Sequence, residues 1–147
     1  EEKLRYADPE IIMVMLGTND RAIRGINPDI NDLDILVNRI HNWIEQNEGH
    51  ESHKLIVATI PPMKSQYSTT SSDYKTTVIN KFETDWTNKV DALVNIYESK
   101  YEDKYPGKDL SDYFRDNVTD YWHFKMEGYE IMGYEWYKSI IQYLTSQ

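Results

Sequence analysis

Two short stretches of the chain are apolar at every position. The first is Ile11-Ile12-Met13-Val14-Met15-Leu16, entered through Asp8-Pro9-Glu10, and the second is Leu55-Ile56-Val57-Ala58-Thr59-Ile60, closed by Pro61-Pro62. Runs that do not alternate read as strands covered on both faces, the habit of a parallel sheet. Between them the period changes. Leu33, Leu36, Val37, Ile40, Trp43 and Ile44 recur at spacings of three and four, which places one apolar face on a helix. Asn31 or Asp32 is the expected cap at its start, and Gly49 follows its end. The order strand–helix–strand predicts a parallel pair joined by a right-handed crossover.

Further along, residues 63–75 carry the run Ser68-Thr69-Thr70-Ser71-Ser72 and read as a polar loop. It lies beyond the carboxyl end of the second strand, the edge at which open α/β sheets bind ligands. Ile79, Phe82, Trp86, Val90, Leu93 and Tyr97 then predict a second helix, and Tyr129, Met132, Trp136, Ile140 and Tyr143 a third, from about residue 126 to the end. Residues 102–119 carry a turn at Pro106-Gly107 and no clear strand. Two strands whose character requires neighbours on both sides are few for a doubly wound sheet. The pattern therefore reads as a domain cut short on its N-terminal side, with all of 1–147 forming the C-terminal portion of a single domain.

Composition narrows the function classes. The 147 residues are 39% hydrophobic and carry a net charge of −9. That balance disfavours a nucleic-acid partner, whose phosphates need Lys and Arg. No apolar run approaches the roughly 18 residues of a membrane span, and the charged start lacks the apolar stretch of a leader. There is no Cys, so thiolate and disulfide chemistry are out.

Two clusters can carry chemistry. Gly17-Thr18-Asn19-Asp20 directly follows the first strand. Gly17 permits a tight turn, and the amide of Asn19 can donate hydrogen bonds to the oxyanion of an acyl-transfer intermediate; the alternative is an ordinary turn. Asp120-Tyr121-Trp122-His123 precedes the last helix. A carboxylate three residues from an imidazole can fix its tautomer and leave the other ring nitrogen free as a base; the alternative is a surface His, with Asp120 as a helix cap. His50 and His53 in Gly49-His50-Glu51-Ser52-His53 raise the question of a metal, but no third ligand stands at a useful spacing. The expectation there is a solvated connection, with no metal and no cofactor.

Together the two clusters resemble the SGNH/GDSL hydrolase family. Gly17, Asn19 and Asp20 match its Gly-x-Asn-Asp block, Asp120 and His123 its Asp-x-x-His block, and Gly128-Tyr129 with Met132 the stretch that follows its histidine. The resemblance covers the chain from about residue 8 onward. It implies a three-layer, flavodoxin-like α/β fold with a parallel sheet, in this chain without its N-terminal strands. It also implies roles: His123 as general base and then acid, Asp120 as its orienting carboxylate, and Asn19 as an oxyanion donor on the turn shaped by Gly17. Asp20 would tie the loop together. Tyr121 and Trp122 would line the substrate pocket. Phe124 stands where the family usually has Pro. The nucleophilic Ser of the family sits in an upstream Gly-Asp-Ser block, and none of the nine serines here follows Gly-Asp. The nucleophile is therefore expected outside this chain, on an N-terminal fragment of the same domain; the alternative within the chain is a serine of the 65–72 loop. The stretch Ile56 to Met63 looks most like carbohydrate acetyl esterases such as those acting on xylan. The implied partner is thus an acylated carbohydrate or small ester, in an extracellular setting, with neither nucleic acid nor membrane involved. The rival is a non-catalytic carbohydrate-binding or interaction module on a degenerate form of the fold.

Overall fold

The computed structural model describes residues 4, 7–17, 26–47, 49–50, 52–62, 68–98, 106–107 and 124–145, without the side chains of 26–28, 68–70 and 98. Strands β1 (Ile11–Val14), β2 (Lys54–Ala58) and β3 (Ala92–Val94) form a parallel sheet in the order β1-β2-β3. Helices α1 (Ile26–Glu45), α2 (Ser68–Thr84) and α3 (Met126–Leu144) pack on it. Ile12 pairs with Leu55, Val14 with Val57, Val57 with Leu93 and Ala58 with Val94.

The alternation within β2 divides the core. Leu55 and Val57, with Ile12 and Val14 of β1, face Leu33, Val37, Ile40 and Trp43 of α1 and Tyr74 and Val78 of α2. Ile56 and Ala58, with Val94 of β3, face Ile131 and Met132 of α3. Strand order follows chain order, so both crossover helices fall on one face and α3 covers the other. The three layers of the expected α/β fold are thereby present, and β2 is buried on both sides. β1 is covered less completely. Met13 is 45% exposed on the α3 side, and Leu16 beyond the strand is 49% exposed.

Four local expectations need correction. α1 begins at Ile26, so Asn31 and Asp32 lie inside it and are exposed rather than capping its start. Pro28 falls in its first turn, where the missing N–H is no loss. The run Ser68 to Ser72 opens α2 and is not loop. Thr76 and Thr77 there donate to the carbonyls of Ser72 and Asp73, so their hydroxyls find partners within the helix. α2 ends at Thr84, so the apolar series through Tyr97 spans several elements. Trp86 and Val90 are buried in the connection, Leu93 belongs to β3, and Tyr97 lies in a 3-10 turn at Ile96–Glu98. Finally, α3 buries Gly128, Ile131 and Met132, while Tyr129 is 47% exposed.

Long-range polar contacts fix the pieces in place. Trp86 is fully buried and its indole N–H donates to Asp34 Oδ1 of α1 at 2.7 Å. Asp91 joins β3 to β2: its carboxylate accepts from the Leu55 N–H at 2.9 Å and pairs with Lys54 at 3.1 Å, while its own N–H donates to the Leu55 carbonyl.

Candidate active site at the carboxyl edge of the sheet

Gly17, Thr59 and Asn95 each stand just past the carboxyl end of their strand. The turn leaving β1 is set by backbone geometry. Gly17 is buried with φ +105°, a region that side-chain-bearing residues rarely adopt. Space forbids a side chain as well. A Cβ at this position would lie 2.6 Å from the Tyr74 hydroxyl and 2.7 Å from its ring carbon Cζ. The Tyr74 hydroxyl in turn donates to the Leu16 carbonyl at 2.8 Å. Tyr74 is fully buried, so α2 holds a rigid ring against the turn from which the chain proceeds to Asn19.

The next strand end is tied just as firmly. Thr59 is fully buried. Its N–H donates to the Val94 carbonyl at 3.0 Å, its hydroxyl accepts the Tyr97 N–H at 3.1 Å, and the same hydroxyl lies 3.4 Å from Asn95 Oδ1. Lys75 Nζ lies 4.9 Å from the Tyr97 ring centre, a cation–π contact linking α2 to the turn after β3.

α3 runs against the strands. Its last turn reaches the amino end of the sheet, where the Tyr143 hydroxyl donates to the Asp91 carbonyl at 3.1 Å and the Tyr143 ring lies near Lys54. Burial, with the Asp91 carboxylate nearby, holds the Tyr143 phenol above its ordinary pKa. A helix of 19 residues is about 28 Å long, so its first turn and Phe124 lie at the carboxyl edge. Phe124 is half-buried against the core of the α3 face and meets the Tyr129 ring edge-on, with centroids 5.7 Å apart. The N-cap of α3 is Lys125, without a side-chain cap bond.

Of the expected site residues, the structure describes Gly17. Asn19, Asp20, Asp120, Tyr121, Trp122 and His123 lie outside the described residues. What is described brings their chain neighbours, Gly17 and Phe124, to one edge of the sheet. Sequence reasoning missed Tyr74 and Thr59. Tyr74 was hidden in a segment read as loop, although its spacing of four from Val78 is a helical signal.

At the opposite, amino edge the expectation of a solvated connection fails. His53 is 8% exposed. The His50 and His53 ring centroids lie 4.2 Å apart with their planes tilted by 40°, and both rings lie against Trp43. Their Nε2 atoms converge on Asp8 Oδ1, at 2.9 and 3.4 Å. The third polar partner thus comes from before β1, far from both histidines in sequence. Among the described residues no helix is long and apolar enough to cross a membrane.

Comparison with known proteins agrees with this architecture. The family model for GDSL-like lipase/acylhydrolase matches residues 1–136. No curated protein and no solved structure gave a match. With a three-layer parallel α/β fold and a family match over nearly its whole length, the chain belongs to the GDSL-like lipase/acylhydrolase family, a family of ester hydrolases.

Proposed function

We propose that the chain supplies the acid–base and oxyanion parts of a carboxylic ester hydrolase that removes acetyl groups from carbohydrate. The observation that carries this is the Gly17 turn at the carboxyl edge, held by Tyr74, with the chain re-entering the same edge at Phe124. Asn19 stands two residues after Gly17, and His123 immediately precedes Phe124. His123 would take the proton from a Ser hydroxyl as its oxygen attacks the ester carbonyl. The Asn19 amide would donate to the oxyanion of the tetrahedral intermediate. Collapse to the acyl-Ser follows as His123 returns the proton to the departing alcohol. Water, deprotonated by His123, then releases the carboxylic acid and restores the Ser. Asp120 orients the ring and stabilises its charged form. Tyr121 and Trp122 offer flat apolar walls for a sugar ring.

The nucleophile is assigned to a Gly-Asp-Ser segment outside this chain, because no serine here stands in that setting. The test is hydrolysis of p-nitrophenyl acetate and of acetylated xylan, with and without a polypeptide carrying that segment. Activity that appears only with the segment, and favours acetyl over long acyl groups, supports the reading. Full activity from these residues alone, surviving Ser→Ala changes at 65, 68, 71 and 72, would refute it. No activity on any ester in the complete protein would favour a non-catalytic carbohydrate-binding module.

A further inference from the structure

The geometry points to a second site, at the amino edge of the sheet, in which Asp8, His50 and His53 hold a divalent transition ion of the zinc type. The donor set is two imidazole nitrogens and one carboxylate oxygen, which suits zinc and its neighbours rather than magnesium or calcium. One ligand atom from each residue lies within 4.8 Å of the others. Two donors on a tetrahedral zinc, each at about 2.05 Å, stand about 3.4 Å apart. The His53 Nε2 to Asp8 Oδ1 distance is 3.4 Å and that for His50 is 2.9 Å, so only small shifts are needed to close around an ion.

Hydrogen bonding within the cluster does not account for it. Both Nε2 atoms aim at one carboxylate oxygen, and both Nδ1 atoms are buried with no hydrogen-bond partner among the described residues. The His53 side chain is 7% exposed, more than nine-tenths buried. Burying two imidazoles side by side, with neither ring's hydrogen bonding complete, is unfavourable unless something further engages them. Trp43 packs against both rings and fixes their orientation, as a ligand pair requires. Asp8 is held with φ +40°, uncommon for a residue other than Gly though tolerated by Asp. Its side chain is 66% exposed, which leaves a path for an ion and a fourth position for water. A cation there neutralises the carboxylate in a chain of net charge −9.

The site lies at the end of the sheet away from Gly17, so its role is to fasten the chain before β1 to the connection before β2. It takes no part in ester chemistry, and it stands or falls independently of the acyl-transfer reading. The test is calorimetric titration of the full, metal-stripped chain with zinc chloride, with the melting temperature followed in parallel. The wild type is expected to bind one equivalent at this site and to melt higher with zinc, since an ion held only by the folded state stabilises it. Asp8→Ala removes a ligand from the surface without opening the core, and should weaken binding at least about tenfold. His53→Ala should do the same, whereas His41→Ala and His123→Ala should leave this equivalent intact. No zinc binding by the wild type would overturn the site. So would binding unchanged in both Asp8→Ala and His53→Ala, because the ion would then be held elsewhere.

Discussion

The two ends of the sheet are built from different materials. At the carboxyl end the shape is made by backbone: a glycine at φ +105°, a tyrosine hydroxyl on a main-chain carbonyl, and a threonine hydroxyl taking a main-chain N–H. At the amino end the work is done by side chains: two adjacent histidines on a carboxylate, and an aspartate that joins β2 to β3. Parallel sheets favour this division, because every strand delivers its carboxyl end to one edge, where loops can converge on a ligand. The opposite edge is left to fasten the chain.

The comparison can be broken most decisively at His123. In the complete enzyme, His123→Ala is expected to lower kcat by several orders of magnitude while leaving the melting temperature unchanged, as for other triad bases. A loss under about tenfold would take His123 out of the mechanism. Asn19→Ala should reduce kcat by about a hundredfold to a thousandfold with little change in KM, the behaviour of a donor that acts on the oxyanion. Gly17→Ala joins the two quantities. The added methyl meets the Tyr74 ring and forces a strained φ, so both stability and kcat should fall, the stability by about 1–3 kcal/mol in a denaturant titration. If only stability changed, the Gly17 turn would be structural and would not position Asn19.

Smaller effects are expected away from both edges. Asp34→Ala strips the acceptor from the buried Trp86 indole and should cost about 1–3 kcal/mol with kcat unchanged. The smallest belongs to the surface pair Lys81–Asp85. The hydrogen bond from Lys81 holds the Asp85 carboxyl below its ordinary pKa, and the bond to Asp85 raises that of Lys81 despite some desolvation. The pair is therefore intact at neutral pH. Its contribution fades on the acid side as pH falls through the lowered Asp85 value, and on the alkaline side as pH rises through the raised Lys81 value. Asp85→Asn should leave the melting temperature at pH 7 within measurement scatter, because exposed pairs are screened by solvent.

The sequence made β1, β2, α1 and α3 legible because each buries enough apolar residues to show its period or its run. β3 was not legible. It is three residues long, and Val90, Leu93 and Tyr97 fall by chance at helical spacing. The start of α2 was hidden by serines and threonines, which prefer caps and turns until tertiary packing around Tyr74 and Val78 decides otherwise. Gly17 could be read because glycine is the residue such a turn demands. Tyr74, which enforces the turn, and Asp8, which completes the histidine pair, could not, because contacts between distant segments leave no local signature.

The central claim is that the turn after β1 and the approach to α3 converge on one acyl carbon. A crystal structure of the complete protein with an organophosphonate bound to its catalytic serine tests this most directly. The Asn19 amide should lie within about 3.1 Å of the phosphonyl oxygen, with the His123 ring on the same carboxyl edge beside the serine oxygen. Finding Asn19 and His123 on opposite sides of the sheet would contradict it.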